Sequence, residues 1–346
     1  MISMKKNVVP PINADHQYVD ALFRGVLHRA PRDNELAHWT AVLSGGLDPR
    51  ELPAKFTASE EFKRISSRTD QLFVAPGHFY SPIVDVEQVR ARYLKTQADG
   101  PPPEAIRVDD QAMRALWEEL LPFLQDIPFP DEPDPACRYF FRNPAFGYGD
   151  GSILHAMLRR YRPKRLVEVG SGYSSACSIE TIDRYLDSKV DVSFVEPYPA
   201  LLLELLGQDR ASSCTIHATG VQDCDESVFT QLEAGDFLFI DSTHVLKTGS
   251  DVCHEIFNVL PLLKAGVFVH FHDIFWPFEY GAEWVIKQNR SWNEIYGLRA
   301  FLMYNETFEI VFFNDWFARH GRDLIEADYP NMLKNTGGSI WLRKTV

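Results

Sequence analysis

Two hydrophobic periods alternate along the second half of the chain. Short, largely apolar runs at 165–169, 190–195, 214–218, 236–241 and 266–272 have the length and continuity of buried strands. Segments 152–161, 174–186, 199–206, 225–232 and 251–263 instead repeat their apolar residues at helical spacing. Strands and helices in strict alternation predict a mostly parallel, doubly wound α/β sheet covered on both faces. Helical stretches near 279–304 and strands near 308–313 and 339–344 complete the pattern, the last two reading as a terminal β-pair.

The first half reads differently. After a loose arm to about Asn13, Tyr18, Leu22, Val26 and Leu27 recur at helical spacing until Ala30-Pro31 stops the helix. Asp33 is placed to cap a second helix carrying Leu36, Trp39 and Leu43, which ends at Gly45-Gly46. Asp48-Pro49-Arg50-Glu51 is a strong helix start, and Ser59-Glu60-Glu61-Phe62 opens a fourth helix. His16, His28 and His38 fall on different helices and read as surface or cap residues. Gly77 to Ile83 is a compact aromatic turn, Gly100 to Pro103 a hinge, and 109–124 an amphipathic helix. The aromatics of 138–148 suit either core packing or a pocket wall. The expected division is a helical docking module over 1–68, a linker and cap segment over 69–150 and an α/β domain over 151–346.

Composition narrows the possible partners. Lys and Arg number 35 against 48 Asp and Glu, a formal net charge of −13, so a phosphate-tracking nucleic-acid surface is a poor fit. The basic run Arg159 to Arg165 reads as a solvated helix end. Five cysteines with no C-x-x-C pair suit reduced thiols in a cytoplasmic protein. The longest apolar region, near 256–271, is interrupted by Asn258, Pro261 and Lys264 and reads as no membrane span.

Ligands in such a sheet bind at the carboxyl ends of the strands, and this rule selects the candidate chemistry. The first strand runs into Glu168-Val-Gly-Ser-Gly172, a glycine turn at a helix N-terminus. Glu196, at the end of the second strand, suits the two hydroxyls of a ribose, or else caps the next helix. Asp223 either meets an adenine or caps a helix. Asp241, His244, His272 and Asp273 gather at the ends of the fourth and fifth strands. Carboxylate and imidazole together suit a divalent cation, a general base or a hydrogen-bonded cluster closing the sheet. His270 shares a strand face with His272 but lies deeper, as a satisfied core histidine would.

The turn VEVGSGYSSA, with an acid before its first glycine and Ser175 in place of a third, resembles the first motif of the class I S-adenosylmethionine (SAM) methyltransferases. GHFYSPI, GYGDG, FVEPYP, FLFIDSTHVLKTGSD, VFVHFHDIFWPFEY, WNEIYGLRAFL and GGSIWLRK extend the resemblance over about Gly77 to Lys344, toward a bacterial branch related to macrocin-type sugar O-methyltransferases. It implies a Rossmann-like, seven-stranded sheet with one antiparallel edge strand. It also implies SAM held by Glu168, Gly170, Gly172, Tyr173, Ser174, Glu196, Pro197, Asp223 and Asp241. Related metal-dependent enzymes keep acids at Asp241 and Asp273 and a further acid where this chain has His272. A divalent ion on Asp241, His272 and Asp273 would therefore be softer than magnesium, or absent. Residues Asp15 to Arg64 resemble a small bacterial helical module of unknown function, related to phycobilisome linker domains, that reads as a docking or packing element.

The expected activity is methyl transfer to a hydroxyl of a sugar or small metabolite, with His244 or His272 as base beside Asp241. Tyr80, His244, Phe275 and Trp276 are the expected acceptor contacts. A metal-dependent hydroxylase or hydrolase and a non-catalytic binding protein are the alternatives. The expected partners are a small-molecule or glycan acceptor and no nucleic acid, with a homo-oligomer open.

Overall fold

The computed structural model describes residues 14–27, 29–66, 72–99, 103–187 and 189–346. The leading arm to Asn13, His28, the boundary at Arg68 and the Gly100–Pro102 part of the hinge lie outside the described residues. The chain divides between Asp85 and Val86 into two compact units.

The first unit is built on α1 (Ala14–Leu27), α2 (Asp33–Ser44), α3 (Leu52–Thr57) and α4 (Glu60–Ser66). Val19, Phe23, Leu27, Leu43, Leu52 and Phe56 form its core. Arg29 locks the helices together: its guanidinium donates to Glu35 at 2.8 Å and to Glu61 at 2.6 and 2.8 Å. Asp48 accepts from the Arg50 amide and Ser59 from the Phe62 amide, as expected for caps. The cap of α2 falls one residue earlier than Asp33, at Arg32, whose amide donates to Glu35. His16 and His38 are exposed. The turn at 77–83 closes with the Gly77 amide on the Ile83 carbonyl.

The second unit begins with α5 (Val86–Asp99) and α6 (Asp110–Leu124) and continues with α7 (Tyr148–Tyr161). Its sheet contains β1 (Arg165–Val169), β2 (Asp191–Val195), β3 (Thr215–His217), β4 (Phe237–Ile240), β5 (Phe268–Phe271), β6 (Phe308–Phe313) and β7 (Ile340–Lys344), in the order β3-β2-β1-β4-β5-β7-β6. β1 to β5 pair in parallel, while β7 runs opposite to both β5 and β6. β1 and β4 are buried almost throughout, which is why they read as continuous apolar runs. The helix α8 (Tyr173–Tyr185) follows β1 directly.

Two differences from the sequence pattern stand out. The helix expected over 251–263 carries a π-helical turn at Glu255–Val259. Helices Asn314–His320 and Arg322–Asp328 lie between β6 and β7, where no helix was expected. The basic run at the end of α7 is paired rather than merely solvated: Arg159 meets Asp126, Arg160 meets Glu119 and Arg165 meets Asp236. The aromatics of 138–148 are mostly core; Tyr139, Phe141, Phe146 and Tyr148 are buried.

Candidate active site

The glycine turn after β1 serves the sheet first. Gly170 has φ +79°, and a Cβ there would stand 1.9 Å from the Asp241 carbonyl oxygen, so the close approach of the β1 and β4 ends demands glycine. Gly172 faces free space; its Cβ would meet only Leu201, at 3.8 Å. Beneath the turn, Ser174 and Ser175 hydroxyls donate to Glu168 Oε1 at 2.6 and 2.9 Å. Glu168 Oε2 is buried without a partner. Burial pushes this carboxyl up to about 8, against the pull of the two serines. Beside it, Glu196 accepts from Ser171 at 3.1 Å and from the Tyr198 amide at 2.7 Å. Its partners are thus the glycine turn and the residue two positions on, not the helix that begins at Ala200.

Other expected cofactor contacts scatter around this point. Tyr173 opens α8 with its ring edge on Phe140, and Pro197 is exposed. Asp223 is exposed in a 3₁₀ turn; Asp225, not Asp223, accepts from the Ser227 amide. An orphaned buried oxygen on Glu168, an open face at Gly172 and the diol-sized acceptor Glu196 fit SAM, whose positive charge would partner Glu168.

The ends of β4 and β5 bring four expected residues together. His244 Nε2 lies 3.6 Å from Asp241 and 3.4 Å from Asp273, and His272 Nδ1 lies 3.3 Å from Asp241 and 3.6 Å from Asp273. His244 and Asp273 hold φ +61° and +58°, left-handed conformations that cost about 1–3 kcal/mol each in non-glycine residues. Such strain persists where the surroundings fix it. Here the His244 carbonyl accepts from the Asn293 and Glu294 amides, both at 3.1 Å.

Two buried acids absent from the expected set flank the imidazoles, and only Glu294 is hydrogen-bonded to its ring. Glu294 Oε2 lies 2.7 Å from His244 Nδ1. Asp150 Oδ2 lies 3.4 Å from His272 Nε2, and Asp150 Oδ1 accepts from the Gly338 amide at 2.9 Å and Ser339 Oγ at 2.6 Å. The nearby turn explains one glycine: Gly337, φ +77°, would drive a Cβ to 2.2 Å from Asp150. Both acids sit in recognised motifs, GYGDG and WNEIYGL. A lone acid inside an apolar motif was the available signal.

Charge balance separates the two histidines. Burial opposes protonation of His272, but Asp241 and Asp273 outweigh it and hold its pKa well above the usual value. For Asp241, burial works upward while His272 and His244 bring the carboxyl down to about 2. Burial also opposes protonation of His244, and the Glu294 hydrogen bond prevails, raising its pKa. His270 behaves as a core histidine, buried, stacked on Phe239 and 2.8 Å from Ser339.

The structure does not show the expected divalent-ion site on Asp241, His272 and Asp273. Among the described residues, no three His, Cys, Asp or Glu side chains converge to hold a metal. Asp241 and Asp273 instead pair with imidazoles, and a proton on His272 supplies the positive charge an ion would bring. Of the expected acceptor contacts, Phe275 and Trp276 line a cavity just past Asp273, whereas Tyr80 belongs to the first unit, exposed and packed on Phe79.

Residues 167–274 match a family described as a methyltransferase domain, and residues 12–72 match a domain of unknown function, DUF4214. An uncharacterized protein of Archaeoglobus fulgidus is 31% identical over 163 residues, 46% of this chain and 73% of that protein. Over residues 167–274 the chain is therefore similar to methyltransferase domains. Among solved structures, it is similar to an SAH-bound methyltransferase of Podospora anserina, at 17% identity over 76% of this chain and 97% of that one, with a TM-score of 0.37. It is also similar to the O-methyltransferase TomG of Streptomyces achromogenes in complex with SAM, at 14% identity over 76% and 99%, with a TM-score of 0.38. Neither likeness carries the assignment. Among the described residues no helix is long and apolar enough to cross a membrane.

Proposed function

We propose that the protein methylates a hydroxyl of a sugar or other small metabolite, with His244 as the general base. The observation that carries this reading is the Glu294–His244 pair at a strand end. An ionised Glu294 accepts from Nδ1 at 2.7 Å, so Nε2 is the nitrogen left to take up a proton, beside Asp241 and Asp273, which favour the protonated ring and raise its pKa. SAM, when bound, supplies an electrophilic methyl group on a sulfonium. The chain's part is to hold an acceptor hydroxyl at the end of β4, take its proton on His244 Nε2 and keep the new imidazolium paired with two carboxylates. Proton transfer of this kind supports roughly 10²–10⁴-fold acceleration, and alignment of the reacting groups supports more. His272, already charged, serves as a fixed counter-charge. The five unpaired cysteines favour a reducing, cytoplasmic setting.

The reading is tested in two steps. Calorimetry should show SAM binding to the ligand-free, folded chain, and Glu196→Ala should weaken it by about 1–3 kcal/mol through loss of a half-buried acceptor. No binding heat would remove the cofactor. Turnover is then followed as SAH release on a panel of simple methyl glycosides. His244→Ala should lower kcat at least about a hundredfold with SAM affinity unchanged. Activity should survive exhaustive chelation; loss that added dication restores would replace the proton on His272 with a metal.

A further inference from the structure

Past Asp273 the chain builds a half-enclosed cavity of about 250 Å³ lined by Phe275, Trp276, Glu279, Glu283, Trp284 and Arg319. Its position ties it to the catalytic cluster. A Cβ on Gly338 would stand 2.7 Å from the Phe275 ring and 3.1 Å from the Asp273 Cα, so the Phe275 wall begins beside Asp273. A second path of rings leads from His244 to Trp292 at 4.5 Å, from Trp292 to Trp284 at 5.4 Å and from Trp284 to Phe275 at 5.4 Å.

The lining charges are not equivalent. Glu283 is paired with Lys287 at 2.6 Å, and Arg319 with Asp315 at 2.9 Å. Glu279 makes no ion pair among the described residues; its Oε1 accepts from the Tyr296 hydroxyl and, at 3.2 Å, from the Tyr280 amide. The lining therefore holds one carboxylate that is hydrogen-bonded to neutral donors and not ion-paired, among half-buried aromatic rings; the Arg299 guanidinium favours its charge without pairing with it. Burial raises the Glu279 carboxyl, against the pull of the Tyr296 hydroxyl, the Tyr280 amide and the more distant Arg299.

Aromatic faces beside an unmatched carboxylate select for positive charge. Ring quadrupoles attract a cation, and a partly desolvated carboxylate gains most from one. The protein already uses its own rings this way: the Arg290 guanidinium lies 4.6 Å from the Trp284 ring centroid and 4.4 Å from that of Trp292. Trp276 and Phe275 are half-buried against neighbouring rings and turn part of their surface to the cavity, with no basic side chain of the described residues over them. A neutral acceptor would use the rings and leave Glu279 unmatched.

We propose that this cavity receives an ammonium group carried by the methyl acceptor, with Glu279 as its counter-charge and Trp276 and Phe275 as its walls. That the bound molecule is the acceptor rests on the methyltransferase reading; the preference for a cation rests on the cavity alone. The acceptor class is then a hydroxylated amine, such as an amino sugar, with its hydroxyl toward His244 and its ammonium toward Glu279.

The probes are choline and its uncharged isostere 3,3-dimethylbutan-1-ol, titrated into the full chain while indole N–H resonances are followed by NMR. Choline should bind at least about tenfold more tightly than the isostere, shifting the Trp276 and Trp284 signals. Glu279→Gln should bring choline down to the level of the isostere, while retained isostere binding and an unchanged melting temperature show the cavity intact. Equal affinities, no binding of choline, or choline affinity unaffected by Glu279→Gln would overturn the proposal. SAM calorimetry on the same sample separates the readings. SAM binding without choline binding defeats the cavity proposal alone, and choline binding without SAM binding defeats the methyltransferase reading alone.

Discussion

Glu168 shows how one side chain can couple ligand and proton. Its Oε1 is satisfied by two serine hydroxyls, and its Oε2 has no partner. A buried, half-satisfied carboxyl retains a proton, which is why burial raises it to about 8. A cation arriving nearby reverses that preference. Below pH 8 the free protein holds the proton, so SAM binding should release it. The sign for folding is opposite to that of an ordinary ion-paired acid. The native pKa lies above the unfolded value, so the stabilising contribution is complete below about pH 4.5 and is lost as pH rises toward 8. Calorimetry of SAM binding at pH 7 in buffers of different ionisation enthalpy should report close to one proton released. Glu168→Gln should abolish that buffer dependence. Heat independent of buffer in the unaltered protein would show that Glu168 is already ionised.

At the scale of elements, the site is made where the loop after β4 meets the helix Glu294–Leu302. The Asn293 side chain accepts from the Leu246 amide at 2.6 Å, and Glu294 reaches His244 from the first turn of that helix. If Glu294 positions the base, Glu294→Gln should lower kcat by about 10–100-fold with KM and SAM affinity nearly unchanged. Two-bond ¹H–¹⁵N spectra should show the His244 proton leaving Nδ1, and Glu294→Asp should recover part of the rate. Unaltered kcat and tautomer would leave Glu294 a packing residue. The sequence made β1, β2, β4 and β5 readable because parallel strands buried on both faces are largely apolar, whereas β3 is short and part-exposed. The strand-end rule then brought Asp241, His244, His272 and Asp273 together. It did not supply Asp150 or Glu294, since nothing local tells which buried acid will face which imidazole across fifty or more residues of chain. Nor did it supply the helices between β6 and β7, whose short lengths and breaks at Gly321 and Pro330 blur the helical period. The seating of β7 between β5 and β6 is likewise a tertiary choice, with both neighbours long-range in sequence.

The whole molecule has two cores with no residue in common. The first unit closes on Phe23, Leu43, Leu52 and Phe56 and on the Arg29 clamp. The second closes on the sheet and its helices, and it includes α6, whose Trp117 packs on Phe317 and donates to Asp328 at 3.0 Å. It also includes α5, whose Tyr93 hydroxyl donates to the Tyr280 carbonyl behind the aromatic cavity. Every residue given a role in binding SAM, taking the proton or matching an ammonium lies after Val86. A core complete within one unit should fold without the other. A shortened chain beginning at Val86 should therefore unfold in one cooperative transition and bind SAM with the affinity of the full chain, whereas a chain beginning at Gly151 should not, because it lacks α5, α6 and Asp150. Thermal unfolding followed by circular dichroism, with SAM calorimetry on the same samples, measures both. A Val86 chain that melts without cooperativity or binds SAM at least about tenfold more weakly would show that the helical module completes the catalytic unit rather than accompanying it.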